Sequence, residues 1–176
     1  MTIDPAVACL ILACAELLFM VAAVHKLRDL PRFAEVFAAY RLLPLSAARR
    51  IAPVVPALEL AAAIGFMTES LRSMAVCVGV ALLFAYGVAI AINLARGRRD
   101  LDCGCAGPNN RRPIAAWMVW RNIGLAVFLA AILLPPSDRP LVWTDAVTVG
   151  FGTAACALVY LCLDRLLAPI GRVSMR

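Results

Sequence analysis

The chain has 176 residues, 64% of them hydrophobic and 16% charged, with a formal net charge of +6. A soluble domain carries about 25% charged residues and a smaller apolar fraction, so this composition excludes an ordinary water-soluble globule. The positive balance invites a nucleic-acid reading, but its distribution between apolar runs argues for a lipid bilayer as the partner and for no nucleic acid.

A helix needs about 20 apolar residues to cross a hydrocarbon core roughly 30 Å thick. Five segments approach that length: residues 5–24, 51–68, 73–95, 113–134 and 144–163. The expected fold is all-α, a single polytopic membrane bundle over residues 1–176, with four core helices and a fifth span. No Lys or Arg precedes the first apolar run, and a cleaved signal peptide needs a basic start. The first helix is therefore expected to be retained. It carries Cys9, Cys14 and Glu16.

His25 and Lys26 stand at the end of that helix. His25 is the single histidine, able to serve as a base or a metal ligand beside nearby thiols. Phe33, Val36, Phe37 and Tyr40 then recur at helical spacing, with Arg32, Glu35 and Arg41 off that face. The pattern predicts an amphipathic helix over about 31–42, either lying in the inner membrane surface or packed on the bundle.

Glu59 in the second span, Glu16 in the first and Arg121 in the fourth each lie nine or ten residues from a basic flank. That is roughly 13–15 Å into the membrane at 1.5 Å per residue. Charges at such depth face the bundle interior and pair, and Glu59 with Arg121 is the expected contact, with Asn122 as a polar neighbour. Functionally the group reads as a proton or quinone-headgroup site, a quinone being the candidate cofactor; structurally it reads as an ion pair that fixes helix register.

Between the third and fourth spans lies Cys103-Gly104-Cys105, flanked by Arg96, Arg98, Arg99, Arg111 and Arg112. Thiols at an accessible turn beside cations tend toward thiolate character, which suits disulfide exchange or metal binding better than packing. A disulfide across one intervening residue is a strained small ring, and strained disulfides are the labile ones. Two thiolates are also half of a tetrahedral site, yet the sequence offers only His25, Asp100 and Asp102 toward the other half, so no metal site is assigned. Inert loop cysteines are the third reading. The remaining five cysteines fall in spans, where packing is the default. Cys9 and Cys77 share a depth near the opposite surface, with Cys14 deeper, and the further reading is an outer dithiol that passes electrons through a partner.

Basic residues fall in alternate loops, which places the N-terminus outside and the C-terminus inside. Cys103 and Cys105 then lie on the cytoplasmic side.

The ordered motifs resemble a known family. His25-Lys26-Leu27-Arg28-Asp29 with Phe33, Tyr40 and Leu43-Pro44 is followed by Pro56-Ala57-Leu58-Glu59-Leu60. Asn93-Leu94-Ala95-Arg96-Gly97, Asp102-Cys103-Gly104-Cys105, Pro113-Ile114 and Arg121-Asn122 complete the set. Their order and spacing over roughly residues 7–134 resemble the methylamine utilisation protein MauE family, within the DoxX-like membrane superfamily. Trp143-Thr144-Asp145 and the fifth span fit its members. The resemblance implies a four-helix core with an added span. It also implies a role in maturing the disulfide-rich small subunit of methylamine dehydrogenase beside a thioredoxin-like periplasmic partner. Cys103 and Cys105 would then be the exchanging pair, with His25, Lys26, Glu16, Glu59, Arg121 and Asn122 in support. A non-catalytic membrane scaffold and a metal-binding membrane protein are the alternatives.

Overall fold

The computed structural model describes residues 2–103 and 113–167. Among them it places seven α-helices: α1 (Pro5–Arg28), α2 (Leu30–Ala39), α3 (Leu45–Ile51), α4 (Val54–Met67), α5 (Glu69–Ala95), α6 (Ala116–Ala130) and α7 (Trp143–Leu167). Five stretches are long and apolar enough to cross a membrane: Pro5–Arg28, Leu45–Met67, Glu69–Ala95, Ala116–Leu133 and Trp143–Leu163.

The second stretch is interrupted. Pro53 and Pro56 have no N–H to continue the helical ladder, so α3 ends at Ile51 and α4 begins again at Val54. The fourth begins at Ala116 rather than near residue 113. Asp102 forms an antiparallel bridge with Pro113, and the Ile114 N–H donates to the Leu101 carbonyl at 3.0 Å, holding this strip extended. Short α2 carries the amphipathic pattern, and its apolar face is packed on the bundle. Phe33 lies against Ala52 and Val55, and Tyr40 against Ile90 and Met118.

Helices α1, α4, α5 and α6 form a closed four-helix core, and α7 stands outside it on α1. In α1 the buried residues are Ala15, Phe19, Ala23 and Lys26, a stripe at helical spacing. Phe19 meets Phe66 edge-on with ring centroids 5.8 Å apart. Gly79 admits this contact to α5, since a Cβ there would stand 2.8 Å from the Leu129 side chain and 3.1 Å from Phe66. Such a contact between spans rests on shape, because lipid tails are as apolar as the side chains.

The two ends of the bundle differ in chemistry. At one end Arg139 donates to both carboxylate oxygens of Asp4 and of Asp145, with nitrogen–oxygen distances of 3.0–3.1 Å. Ile3 exchanges backbone hydrogen bonds with Pro135 and Ser137 beside this clamp. At the other end the last residue of α1, the short helices α2 and α3, and the segments after α2 and α5 carry Arg28, Arg32, Arg41, Arg49, Arg50, Arg96, Arg98 and Arg99. This basic end holds the candidate site.

Candidate functional site

The basic end is organised by the way α5 stops. The Gly97 N–H donates to the Leu94 carbonyl and the Arg98 N–H to the Asn93 carbonyl, both at 3.0 Å. This pair of bonds is the Schellman termination, which needs a left-handed residue between them; Gly97 supplies it with φ +73°. The chain turns at once, and Arg98 points back at the helix it has left. Its guanidinium donates to the buried Asn93 side-chain oxygen at 2.8 Å. It also donates to the carbonyls of Ala39 at 2.7 Å and Tyr40 at 3.3 Å. Those carbonyls close α2, where the helix dipole favours a cation. The Tyr40 hydroxyl donates to the Asp102 carbonyl at 3.3 Å, and Arg32 on α2 lies 3.8 Å from the Asp102 carboxylate.

Cys103 is held by this frame. It is half-buried, packed against the cluster of Tyr40, Ile90, Ile114 and Met118. Cys105 lies outside the described residues. An open groove of about 400 Å³ runs between α2 and the approach to Cys103, with Arg32, Glu35, Asp100 and Asp102 on its walls. Among the described residues no three His, Cys, Asp or Glu side chains converge as a metal site.

The charged pair inside the bundle differs from the expected one. Glu59 pairs with Lys26 of α1, not with Arg121. The Tyr86 hydroxyl of α5 donates to the same Glu59 oxygen at 2.7 Å, and Lys26 Nζ lies 3.1 Å from that hydroxyl. Lys26 and Glu59 are 3% and 1% exposed, which makes the pair fully internal. The Lys26 ammonium also stands 5.3 Å from the Phe33 ring centroid and 4.7 Å from that of Tyr86. The buried α1 stripe reaches Lys26, so the ammonium continues an internal face. The second Glu59 carboxylate oxygen is buried with no hydrogen-bond partner.

Arg121 misses Glu59 because α6 starts three residues late. It sits about one and a half turns from the basic end of its helix, roughly 8 Å in, not mid-membrane. Its guanidinium lies 5.2 Å from the Trp117 ring and 5.7 Å from the Tyr160 ring, so it joins α6 to α7. Asn122 is buried against Gly87, where a Cβ would stand 3.7 Å from its own, and its amide nitrogen has no hydrogen-bond partner. His25 is half-buried, its Nδ1 enclosed without a hydrogen bond. Glu16 is half-buried on α1. No hydrogen bond or ion pair among the described residues joins His25 or Glu16 to the other candidates.

Tyr86 was not singled out from sequence, and Asn93 and Arg98 appeared there only within a motif and as a cationic flank, without these contacts. A tyrosine inside the apolar run of α5 was the available signal for Tyr86. Arg98 reads along the chain as a stop-transfer flank, and its inward grip depends on the Gly97 turn.

The profile of the family described as methylamine utilisation protein MauE matches residues 4–135. The chain belongs to the MauE family. It is 36% identical to methylamine utilization protein MauE of Paracoccus denitrificans over 146 residues, covering 82% of this chain and 78% of that one. It is 34% identical to the Methylophilus methylotrophus protein of the same name over 165 residues, covering 92% and 86%. No solved structure matches. Residues 4–135 take in the MauE core from the Asp4 cap to the end of the fourth span, including Lys26, Glu59, Asn93 and Cys103; α7 lies beyond them.

Proposed function

We propose that this MauE-family protein is an inner-membrane component of methylamine utilisation. It supports disulfide formation or processing in the methylamine dehydrogenase small subunit, alongside a thioredoxin-like periplasmic partner. Family membership over residues 4–135 carries the pathway. The thiol chemistry is supported by the way Arg98 and Tyr40 hold the segment of Asp102, which lines a groove on a cation-rich end and directly precedes Cys103. Cationic surroundings favour the thiolate, the form that exchanges. In the exchange, a client dithiol gives two electrons and two protons, and the Cys103–Cys105 disulfide returns to a dithiol.

The positive-inside rule sets the basic end toward the cytoplasm, with the N-terminus outside and the C-terminus inside. Oxidising equivalents drawn at that end must then cross the bundle to reach a client folded outside. The buried Lys26–Glu59–Tyr86 group lies between α1, α4 and α5 along such a route.

A Cys103→Ser/Cys105→Ser chain tests the reading in cells making the dehydrogenase. The expected result is a small subunit with unpaired thiols and loss of methylamine-dependent growth. A fully disulfide-bonded, active client would overturn it. The fixed groove favours one second reading, a membrane scaffold that docks the partner. In that case the double-serine chain retains function while Arg98→Ala, which frees α2 from the Cys103 segment, abolishes it.

A further inference from the structure

The α1–α7 contact brings together two cysteines that the proposed function does not use. The two helices run parallel, since the Arg139 clamp joins Asp4 before the start of α1 to Asp145 in the first turn of α7. One level down, Gly152 of α7 meets Leu10 of α1, where a Cβ would stand 3.0 Å from Leu10 Cδ1. Four residues further along each parallel helix come Cys14 and Cys156. Both steps advance one turn, roughly 6 Å in the same direction, so the contact at Leu10 and Gly152 repeats as Cys14 against Cys156. The same register turns the Cys14 thiol toward Cys156 and Thr153 on α7. The missing side chain at Gly152 draws the helices together, and a disulfide needs Cα atoms within about 7 Å.

The surroundings suit oxidation within the membrane. Cys156 is exposed at the edge of the α1–α7 contact, within a stretch apolar enough to cross the membrane, so its reactant is lipid-soluble. Cys14 is half-buried behind it. The Thr153 hydroxyl, on the same helix as Cys156, is buried with no hydrogen-bond partner. Cys156 lies beyond residues 4–135, outside the segment matched by the family profile.

We propose that Cys14 and Cys156 form a second dithiol–disulfide pair, oxidised inside the membrane by a quinone. Two S–H bonds break and one S–S bond forms. Two electrons and two protons pass to the quinone, which becomes a quinol. The disulfide ties α7 covalently to α1, so the attachment of the fifth span follows the redox state of the quinone pool. The proposal is independent of Cys103 and Cys105.

The test exposes the full chain in liposomes to decylubiquinone and then alkylates under denaturing conditions, with mass spectrometry before and after reduction. The expected result is joint loss of alkylation at Cys14 and Cys156, restored by reduction, while Cys9, Cys77 and Cys162 stay alkylated. The Cys103→Ser/Cys105→Ser chain is expected to behave identically, and Cys14→Ser to leave Cys156 alkylated. Copper-phenanthroline is the proximity control. Crosslinking by copper but not by the quinone would overturn the quinone step, and crosslinking by neither would overturn the pairing. A quinone-driven disulfide lost in the double-serine chain would also overturn it, since oxidation would then arrive from Cys103 and Cys105.

Discussion

Lys26 ends a buried stripe, and that position decides what the residue does. An unpaired ammonium in a protein interior costs several kcal/mol, so the neighbouring helices supply a carboxylate, a phenol and two aromatic faces. Removing one member leaves the other charge stranded. Glu59→Leu is expected to destabilise the detergent-solubilised protein by about 3–5 kcal/mol. The Lys26→Met/Glu59→Leu double variant, which removes both charges, is expected to recover most of that loss. Thermal unfolding of the wild type and the variants checks this, and a double variant as unstable as the single one would show that the charges are not coupled. Sequence showed Glu59 as a buried charge but misdirected its partner. Depth counted along one helix cannot show which face of a neighbour it meets, and Lys26, next to a helix end, reads in one dimension as an interfacial flank.

At the scale of elements, α2 and α7 are each tied to the core at one end. Arg98 closes α2 from below, and Arg139 pins the start of α7 to the cap of α1. The Asp4 carboxyl is held below its ordinary value of 3.8, first by the Arg139 hydrogen bonds and then by the Ala6 N–H. A carboxyl with a lowered value in the folded state stabilises that state above its unfolded value, and the contribution is lost as pH falls through the folded one. The clamp is therefore complete at neutral pH, and its contribution is lost only in acid, as pH falls from the ordinary value of 3.8 through the lower folded one. Comparing thermal stability at pH 6 and pH 3, Arg139→Ala is expected to show a smaller fall than the wild type, because its clamp is already absent. An equal fall in both would assign the acid sensitivity elsewhere. The helical period of Phe33, Val36, Phe37 and Tyr40 made α2 readable in sequence. That it packs on the bundle follows from Ala52, Val55, Ile90 and Met118, which reach it from three other segments.

For the whole molecule, alternation of basic and neutral loops is an electrostatic statement about the two membrane faces. The structure brings both large basic loops to one end of a single bundle and sets the Arg139 clamp at the other. Positive-inside orientation then predicts opposite labelling of Ser46→Cys and Ser137→Cys in a chain lacking the native cysteines. An impermeant maleimide on intact cells is expected to reach the cysteine at position 137, and the one at position 46 only after lysis. The reverse pattern would put Cys103 on the same side as an exported client and remove the need for electron transfer across the bundle.

Sequence by itself determined the class of molecule and its family. Twenty-residue apolar runs have no alternative to helix in a bilayer, because backbone groups there must bond within the segment. The order of short motifs survives as a linear pattern, and so does the spacing of Cys103 and Cys105. Tertiary structure decided the partners: Lys26 and Tyr86 for Glu59, aromatic faces for Arg121, and α2 carbonyls for Arg98. The reason is geometric. Which faces of two helices meet depends on where each helix starts and how closely small residues let them approach. A three-residue delay at Ala116 or a missing side chain at Gly152 changes that choice without leaving a mark in composition or periodicity.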